Sequence, residues 1–286
     1  MKKPRTLCFI VMAMVCFSSA ATAQFAADAD LGKYSYPIFA LAGKSQHTGT
    51  AFFYRAHDSI FLVSNYHAIK GMSPLKQSIA FEADTIYLEY PTVNDGGKKL
   101  LPVDVSEQVL GKTEVFSMVD RIDLLKVPVE LPPDADISFI NDMIDPAYMN
   151  EEPEEVIAFG YPQEAGALPV FFSRQQSLRG RVNPAGFAEY DSSIRRQHPR
   201  ASEQAISIVT GTSRYYYFIR PYAAQGYSGA PVFGKYRTTS NEVVYKFAGV
   251  IFGGQPSTKQ TWTIKPEVAL EYLGTVARNP ESSGAE

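Results

Sequence analysis

Gly226-Tyr227-Ser228-Gly229-Ala230-Pro231-Val232-Phe233 reads as a tight turn that runs directly into an apolar, strand-like run. Glycine two residues before the serine lets the backbone bring N–H groups toward one point, and glycine after it removes a side chain from the approach to the hydroxyl. A serine held in this way is an accessible nucleophile, and the N–H groups beside it suit a developing oxyanion. The segment after the serine decides the surrounding architecture. In a nucleophile elbow of the α/β-hydrolase type the serine stands between a strand and a helix, and the histidine comes last in the chain. Here Pro231-Val232-Phe233 has the character of a strand, and the four histidines, His47, His57, His67 and His198, all precede Ser228. That arrangement excludes the elbow.

Upstream, Thr48-Gly49-Thr50-Ala51-Phe52-Phe53 and Ile60-Phe61-Leu62-Val63-Ser64-Asn65-Tyr66-His67-Ala68-Ile69 read as two short apolar strands. A polar turn at Arg55 to Ser59 joins them, and His67 lies just past the second. His57 falls in the turn and is expected to be solvated, while His47 and His198 lack any motif context. Arg121-Ile122-Asp123-Leu124-Leu125-Lys126-Val127 opens another strand with a carboxylate. Asp123 is the acid favoured by this register, with Asp120 the alternative because Lys126 interrupts the apolar run. A general base and an orienting acid thus precede the nucleophile in the order His, Asp, Ser.

These segments resemble the chymotrypsin-like (trypsin-like) serine proteases, in the bacterial exported branch without a PDZ module. The likeness runs from about residue 36 to about residue 275 and is carried by Gly49-Thr50-Ala51-Phe52, Ser64-Asn65-Tyr66-His67, Asp123-Leu124-Leu125, Val156-Ile157-Ala158-Phe159-Gly160-Tyr161-Pro162, the Gly226 turn and Phe247-Ala248-Gly249-Val250-Ile251-Phe252-Gly253-Gly254, in the family's order. The resemblance implies an all-β fold of two packed antiparallel six-stranded-type β-barrels with a C-terminal helix. It also implies a serine endopeptidase acting through an acyl-enzyme, with Ser228 as nucleophile, His67 as general base and Asp123 orienting the imidazole. The N–H groups of Gly226 and Ser228 would form the oxyanion hole. By the same resemblance Tyr222, six residues before the serine, lies at the floor of the substrate pocket, and Gly253 and Gly254 leave its mouth open. With no acidic floor, small or apolar side chains are expected over basic ones. Tyr227 stands where other branches carry an aspartate that pairs with a newly cut N-terminus, so activation by that ion pair is not expected. Tyr66, bulkier than usual before the histidine, either shapes the cleft or covers the barrel. Two other readings share the same residues: a protease-fold binding protein without turnover, kept open by Tyr227 and Tyr222, and an esterase.

Composition fits an exported protein. Lys2, Lys3 and Arg5 precede the apolar run Leu7 to Phe17, and Ala21-Thr22-Ala23 is an A-x-A cleavage signal, so residues 1–23 read as a secretory signal peptide. The run is too short for a membrane span, and no stable membrane anchor is expected. Both cysteines, Cys8 and Cys16, fall inside this segment, so the mature 263 residues form no disulfide. A bacterial periplasmic or secreted destination is the expectation. Loss of the leader leaves 24 basic against 30 acidic residues, a net charge of −6, which argues against nucleic acid as a partner; the only basic cluster is Arg195-Arg196 to Arg200. A protein or peptide substrate is the expected partner, and no metal or cofactor is expected, since Asp28-Ala29-Asp30-Leu31-Gly32 lacks calcium-loop spacing.

Strand-like runs and turns place a first barrel over 24–130 and a proline-rich acidic linker over 131–155. A second barrel is expected over 156–264, with a helix and tail over 265–286. Pro266 to Leu273 has helical spacing with proline in its first turn. Asn183 to Thr212 and the linker read as polar surface loops.

Overall fold

The computed structural model describes residues 30–42, 45–70, 72–73, 78–79, 83–94, 96–106, 122–162, 174–197 and 215–274. The expected signal peptide with its two cysteines, Asp120, His198, Arg200 and the C-terminal tail lie outside the described residues.

Strands β1 (Tyr36–Ala42), β2 (Ser45–Ala56) and β3 (Ser59–Ser64) form a meander, and His57 takes the tight turn between β2 and β3 at φ 51°. A short helix α1 (Tyr66–Lys70) comes next, then a two-stranded ribbon, β4 (Met72–Ser73) with β5 (Ser78–Ile79). β6 (Thr85–Pro91), β7 (Lys98–Asp104) and β8 (Leu125–Pro128) complete a six-stranded antiparallel sheet in the order β7-β6-β1-β2-β3-β8. The second half comprises β9 (Glu155–Gly160), β10 (Gln176–Val182), β11 (Tyr216–Arg220), β12 (Pro231–Arg237), β13 (Val243–Gln255) and β14 (Gln260–Ile264). These close on themselves in the order β10-β11-β14-β13-β12-β9. The all-β fold of two six-stranded sheets is therefore as expected, with one difference. Only the second sheet is a closed barrel; among the described residues the first stays open between β7 and β8.

The period-2 alternation of side chains explains how one strand serves two cores. Along β2, Phe52 and Tyr54 point into a core shared with the barrel, while Ala51 and Phe53 point into the interior of the first sheet. β9 divides likewise, Ile157 and Phe159 facing the shared core and Val156 and Ala158 the barrel interior. Phe52, Phe53 and Phe233 are fully buried, and burial of each such side chain stabilises the fold by about 1.5–3 kcal/mol. The shared core joins Phe52, Val63 and Leu124 from the first sheet to Phe233, Phe247 and Val250 from the barrel. This makes the junction between the two halves a packed layer.

Two segments read as polar loops have more structure than their composition suggests. The linker carries 3₁₀ turns at Ile140–Met143 and Pro146–Tyr148 and is stitched to both halves. Asn141 exchanges hydrogen bonds with the backbone of Arg55, Lys246 pairs with Asp145 at 3.2 Å, and the Tyr148 and Tyr236 rings meet at 4.8 Å. Within Asn183 to Thr212, Gly186–Gln197 is a helix, α2. Its apolar face is narrow: Phe187 packs edge-on against Phe218 and Tyr190 against Trp262. Two aromatics three residues apart in a polar run give little periodic signal, and tertiary contacts with the barrel decide the helix. The expected C-terminal helix is α3 (Pro266–Leu273), with Pro266 at its start and Gly274 ending it in the left-handed conformation.

Candidate active site

His67, Asp123 and Ser228 come together at the junction of the two sheets. Strand β3 ends at Ser64, and Asn65 turns the chain into α1 by accepting backbone hydrogen bonds from Ala68 and Ile69. His67 is thereby presented at the start of the helix. Asp123, just before β8, receives the His67 backbone N–H on Oδ1 at 3.0 Å and a close bond from the ring Nδ1 on Oδ2. The other ring nitrogen, Nε2, lies 2.9 Å from Ser228 Oγ. Because Asp123 accepts at Nδ1, the neutral tautomer has its proton there and its lone pair on Nε2 facing the serine.

The carboxylate is almost inaccessible, its side chain 3% exposed, whereas the His67 side chain is 30% exposed and open to an incoming molecule. Burial pushes the imidazole down, but the charge of Asp123 and its hydrogen bond more than offset this, so His67 titrates above the ordinary imidazole value. Lys126, which interrupts the apolar run, points away: its ammonium reaches toward the Phe61 and Tyr272 rings at 5.5 and 5.8 Å. The apolar neighbours Leu124 and Leu125 are fully buried, which holds the register that puts Asp123 beneath the imidazole.

The Gly226–Gly229 turn is built from backbone rather than side chains. Gly226 has φ 102° and Gly229 has φ 86°, both in the region that a Cβ disfavours. Space forbids a side chain as well: a Cβ would stand 2.3 Å from Tyr161 O at Gly226 and 2.1 Å from Thr50 O at Gly229. The Tyr227 carbonyl accepts from Ala230 N at 2.9 Å, so the trans peptide turns the Ser228 N–H the opposite way. Among the described residues the N–H groups of Gly226 and Ser228 have no acceptor. Tyr227 itself is buried, with its ring against Gly160 and its hydroxyl donating to Gln176 O at 3.1 Å. Burial pushes this phenol up to about 12.

Where the resemblance puts a substrate pocket, the ring of Tyr222 lies across Gly254, where a Cβ would be 2.9 Å from it, while Gly253 faces Trp262. The preceding segment is fastened to β14 through Thr261, whose hydroxyl accepts from Ala223 N and donates to Pro221 O. Gln260, fully buried, donates to Glu189 of α2 at 2.6 Å, and the same carboxylate oxygen takes Asn183 and Arg220. Arg220 first, then Asn183, hold Glu189 below the usual carboxylate range. His47 sits on β2, partly buried, and exposed His57 is in the turn at the far end of β2; Tyr66 packs over the first sheet's core. Among the described residues no three His, Cys, Asp or Glu side chains gather as a metal site.

Two residues of the site have functions that their motifs did not disclose. Asn65 donates to the Asp123 backbone carbonyl at 2.6 Å, and Thr50 bonds to both Gly226 O and Ser228 O. Both are polar side chains in otherwise apolar runs and are fully buried. Burial of such groups calls for a specific partner.

No protein-family model matches the sequence, and no curated protein matches it. Among solved structures the chain is similar to GrC, at 11% identity and TM-score 0.49, covering 85% of this chain and 93% of that one. It is similar to the serine endoprotease from Yersinia pestis, at 11% identity and TM-score 0.44, covering 87% of this chain but only 64% of that longer one. It is also similar to AL20, a thermostable serine protease from an extremophilic microorganism, at 11% identity and TM-score 0.47, covering 86% and 99%. The chemistry of the site rests on its own distances. The chain itself carries a hydroxyl, an imidazole and a carboxylate hydrogen-bonded in series between its two sheets.

Proposed function

We propose that this protein is a serine endopeptidase, exported by way of residues 1–23 to the periplasm or the medium. The observation that carries the reading is the series from Asp123 through His67 to Ser228, with Nε2 2.9 Å from Oγ, inside the range for proton transfer. Ser228 Oγ attacks the carbonyl carbon of a peptide bond as His67 Nε2 takes the hydroxyl proton. The carbonyl oxygen becomes an oxyanion that the unspent N–H groups of Gly226 and Ser228 receive. Collapse of the tetrahedral adduct breaks the C–N bond, and His67 returns the proton to the leaving amine. Water, deprotonated by His67, then bonds to the acyl carbon, the ester bond to Ser228 Oγ breaks as His67 returns the proton to that oxygen, and Asp123 holds the tautomer throughout. Each oxyanion donor contributes about 2.7–4 kcal/mol to such a transition state.

The substrates are proteins or peptides with small or apolar side chains at the scissile residue. Tyr222 lies across Gly254 and shortens the pocket, and the Glu189 carboxylate that reaches Gln260 is already engaged by three donors. The same ring favours a second reading, a protease-fold protein that binds chains without cutting them. A fluorophosphonate probe applied to the purified protein, with Ser228→Ala and His67→Ala beside it, separates the two. Labelling at Ser228 that requires His67, together with cleavage of an apolar peptide library, supports the endopeptidase. A folded protein that takes up no probe leaves the binding reading, and labelling with ester but not peptide cleavage makes it an esterase.

A further inference from the structure

The two carbonyls that flank the nucleophile turn are held by one residue of the other sheet. Thr50 Oγ1 donates to Gly226 O at 2.7 Å, and Thr50 N donates to Ser228 O at 2.8 Å. The hydroxyl oxygen also receives the Tyr161 N–H at 3.3 Å, and the Thr50 carbonyl receives Ser64 Oγ at 2.7 Å. Thr50 is fully buried, on the face of β2 that it shares with Phe52 and Tyr54, which lie in the core common to both halves.

The consequence lies in how peptide planes turn. A carbonyl and the next N–H point opposite ways across a trans peptide. With Gly226 O drawn to Thr50, the Tyr227 N–H of the same peptide is turned to Ala224 O at 3.3 Å and closes the turn that contains the Gln225–Gly226 peptide, and with Ser228 O drawn to Thr50 N, the Gly229 N–H is turned to Ile251 O at 2.8 Å. Without the Thr50 hydroxyl, Gly226 O would be left buried with no partner among these contacts. Glycine meets no side-chain barrier to rotation, so the Gly226–Tyr227 peptide turns to find another donor, the Tyr227 N–H leaves Ala224 O, and the opened turn no longer fixes the direction of the Gly226 N–H.

We propose that Thr50 is a positioning residue that holds the Gly226–Gly229 turn with its N–H groups facing the reacting carbonyl, so that docking of the first sheet on the barrel sets the oxyanion site. The proposal rests on the reading of Ser228 as nucleophile and separates from it in the test. Thr50→Val keeps the shape and removes the hydroxyl, Thr50→Ala removes it with less bulk in case the valine variant does not fold, and Thr50→Ser keeps it. For each variant the rate of fluorophosphonate labelling is measured across pH, and the crystal structure is determined.

The expected result is a fall of about 10- to 100-fold in labelling rate for the hydroxyl-free variants, somewhat less than deletion of an oxyanion donor brings about. The pH inflection should stay where it is, because His67 and Asp123 are untouched. Thr50→Ser recovers most of the rate, and the Gly226 peptide is rotated in the hydroxyl-free crystals only. The proposal is overturned by labelling at the wild-type rate in folded Thr50→Val, by Thr50→Ser as slow as Thr50→Val, by a shifted inflection, or by an unrotated Gly226. If the wild type itself takes no label, the nucleophile reading fails, and the crystal structures alone decide whether Thr50 holds the turn.

Discussion

The open sheet and the closed barrel contribute to the site in different ways. The first sheet supplies side chains: Thr50, Ser64, Asn65 and Asp123 are buried polar groups, each with a hydrogen bond to a named partner, and His67 stands at their edge. The barrel supplies backbone: two glycines at positive φ, two N–H groups without acceptors among the described residues, and one serine hydroxyl. The difference teaches where substitution can be conservative. A side-chain hydrogen bond survives exchange for another group of the same size and chemistry, whereas a glycine held at positive φ against a carbonyl has no substitute.

The largest effect expected from the first-sheet side is that of Asp123→Asn. The amide keeps the volume but favours the wrong imidazole tautomer, and the labelling rate should fall about 10⁴-fold. The pH profile should move with it. His67 in the wild type titrates above its ordinary value of about 6.5, so the rate rises as the pH passes through that higher inflection and neutral imidazole accumulates. Removing the charge leaves burial to act alone, and the inflection moves down. The sign for stability is opposite. A raised imidazole value means that the pair's contribution is present below about pH 6.5 and fades as the pH rises through the folded-state value. Denaturant unfolding at pH 6 and pH 9 measures that difference, whose sign Asp123→Asn should reverse because burial alone lowers the imidazole value; a variant retaining both rate and inflection would break the side-chain half of the comparison.

On the barrel side, Gly226→Ala puts a Cβ at 2.3 Å from Tyr161 O on a backbone of φ 102°. The turn must give way, and the expected fall in labelling rate is about 10²- to 10³-fold, the effect of losing one oxyanion donor. No second substitution at this position should recover it, in contrast to Thr50→Ser. Recovery by serine or asparagine at 226 would show that the turn tolerates side chains after all.

The smallest effect sharpens the boundary between the two halves. Tyr227 belongs to the barrel yet acts through a side chain, its hydroxyl donating to Gln176 O. Tyr227→Phe should lower the unfolding free energy by about 1 kcal/mol, the ordinary contribution of a neutral hydrogen bond. The phenol is held up at about 12 by burial, so its contribution is intact below about pH 10 and is lost as the pH rises toward 12. A pH-independent difference between the two proteins across that window would show that the phenol does not contribute in this way.

Much of this was legible before any fold was known, and the reason is local. The strand at Val156, the strand after Pro231 and the helix from Pro266 announce themselves by alternation, by apolar runs and by proline in a first turn, and they stand within a residue or so of where those signals put them. Helix α2 was hidden because two aromatics in a polar stretch are too few to declare a period; Phe218 and Trp262, distant in sequence, supply the surface that makes it helical. The linker was likewise concealed, since proline and acidic residues do not show that Asn141 will find Arg55. Open against closed was equally beyond reach: the patterns of β7 and β8 are those of strands in either case.

What the amino-acid sequence determined by itself was the set of chemical groups, their order and the local geometry available to each: a serine between glycines, a histidine after a strand, an aspartate before one. Only the tertiary structure decided that these groups meet. It brought Asp123 beneath His67, 56 residues apart, and His67 to Ser228, 161 residues apart. It also set Thr50 against Gly226 across 176 residues. Contacts at such separations leave no periodic trace in the chain, because they arise from the packing of a two-faced strand between two cores.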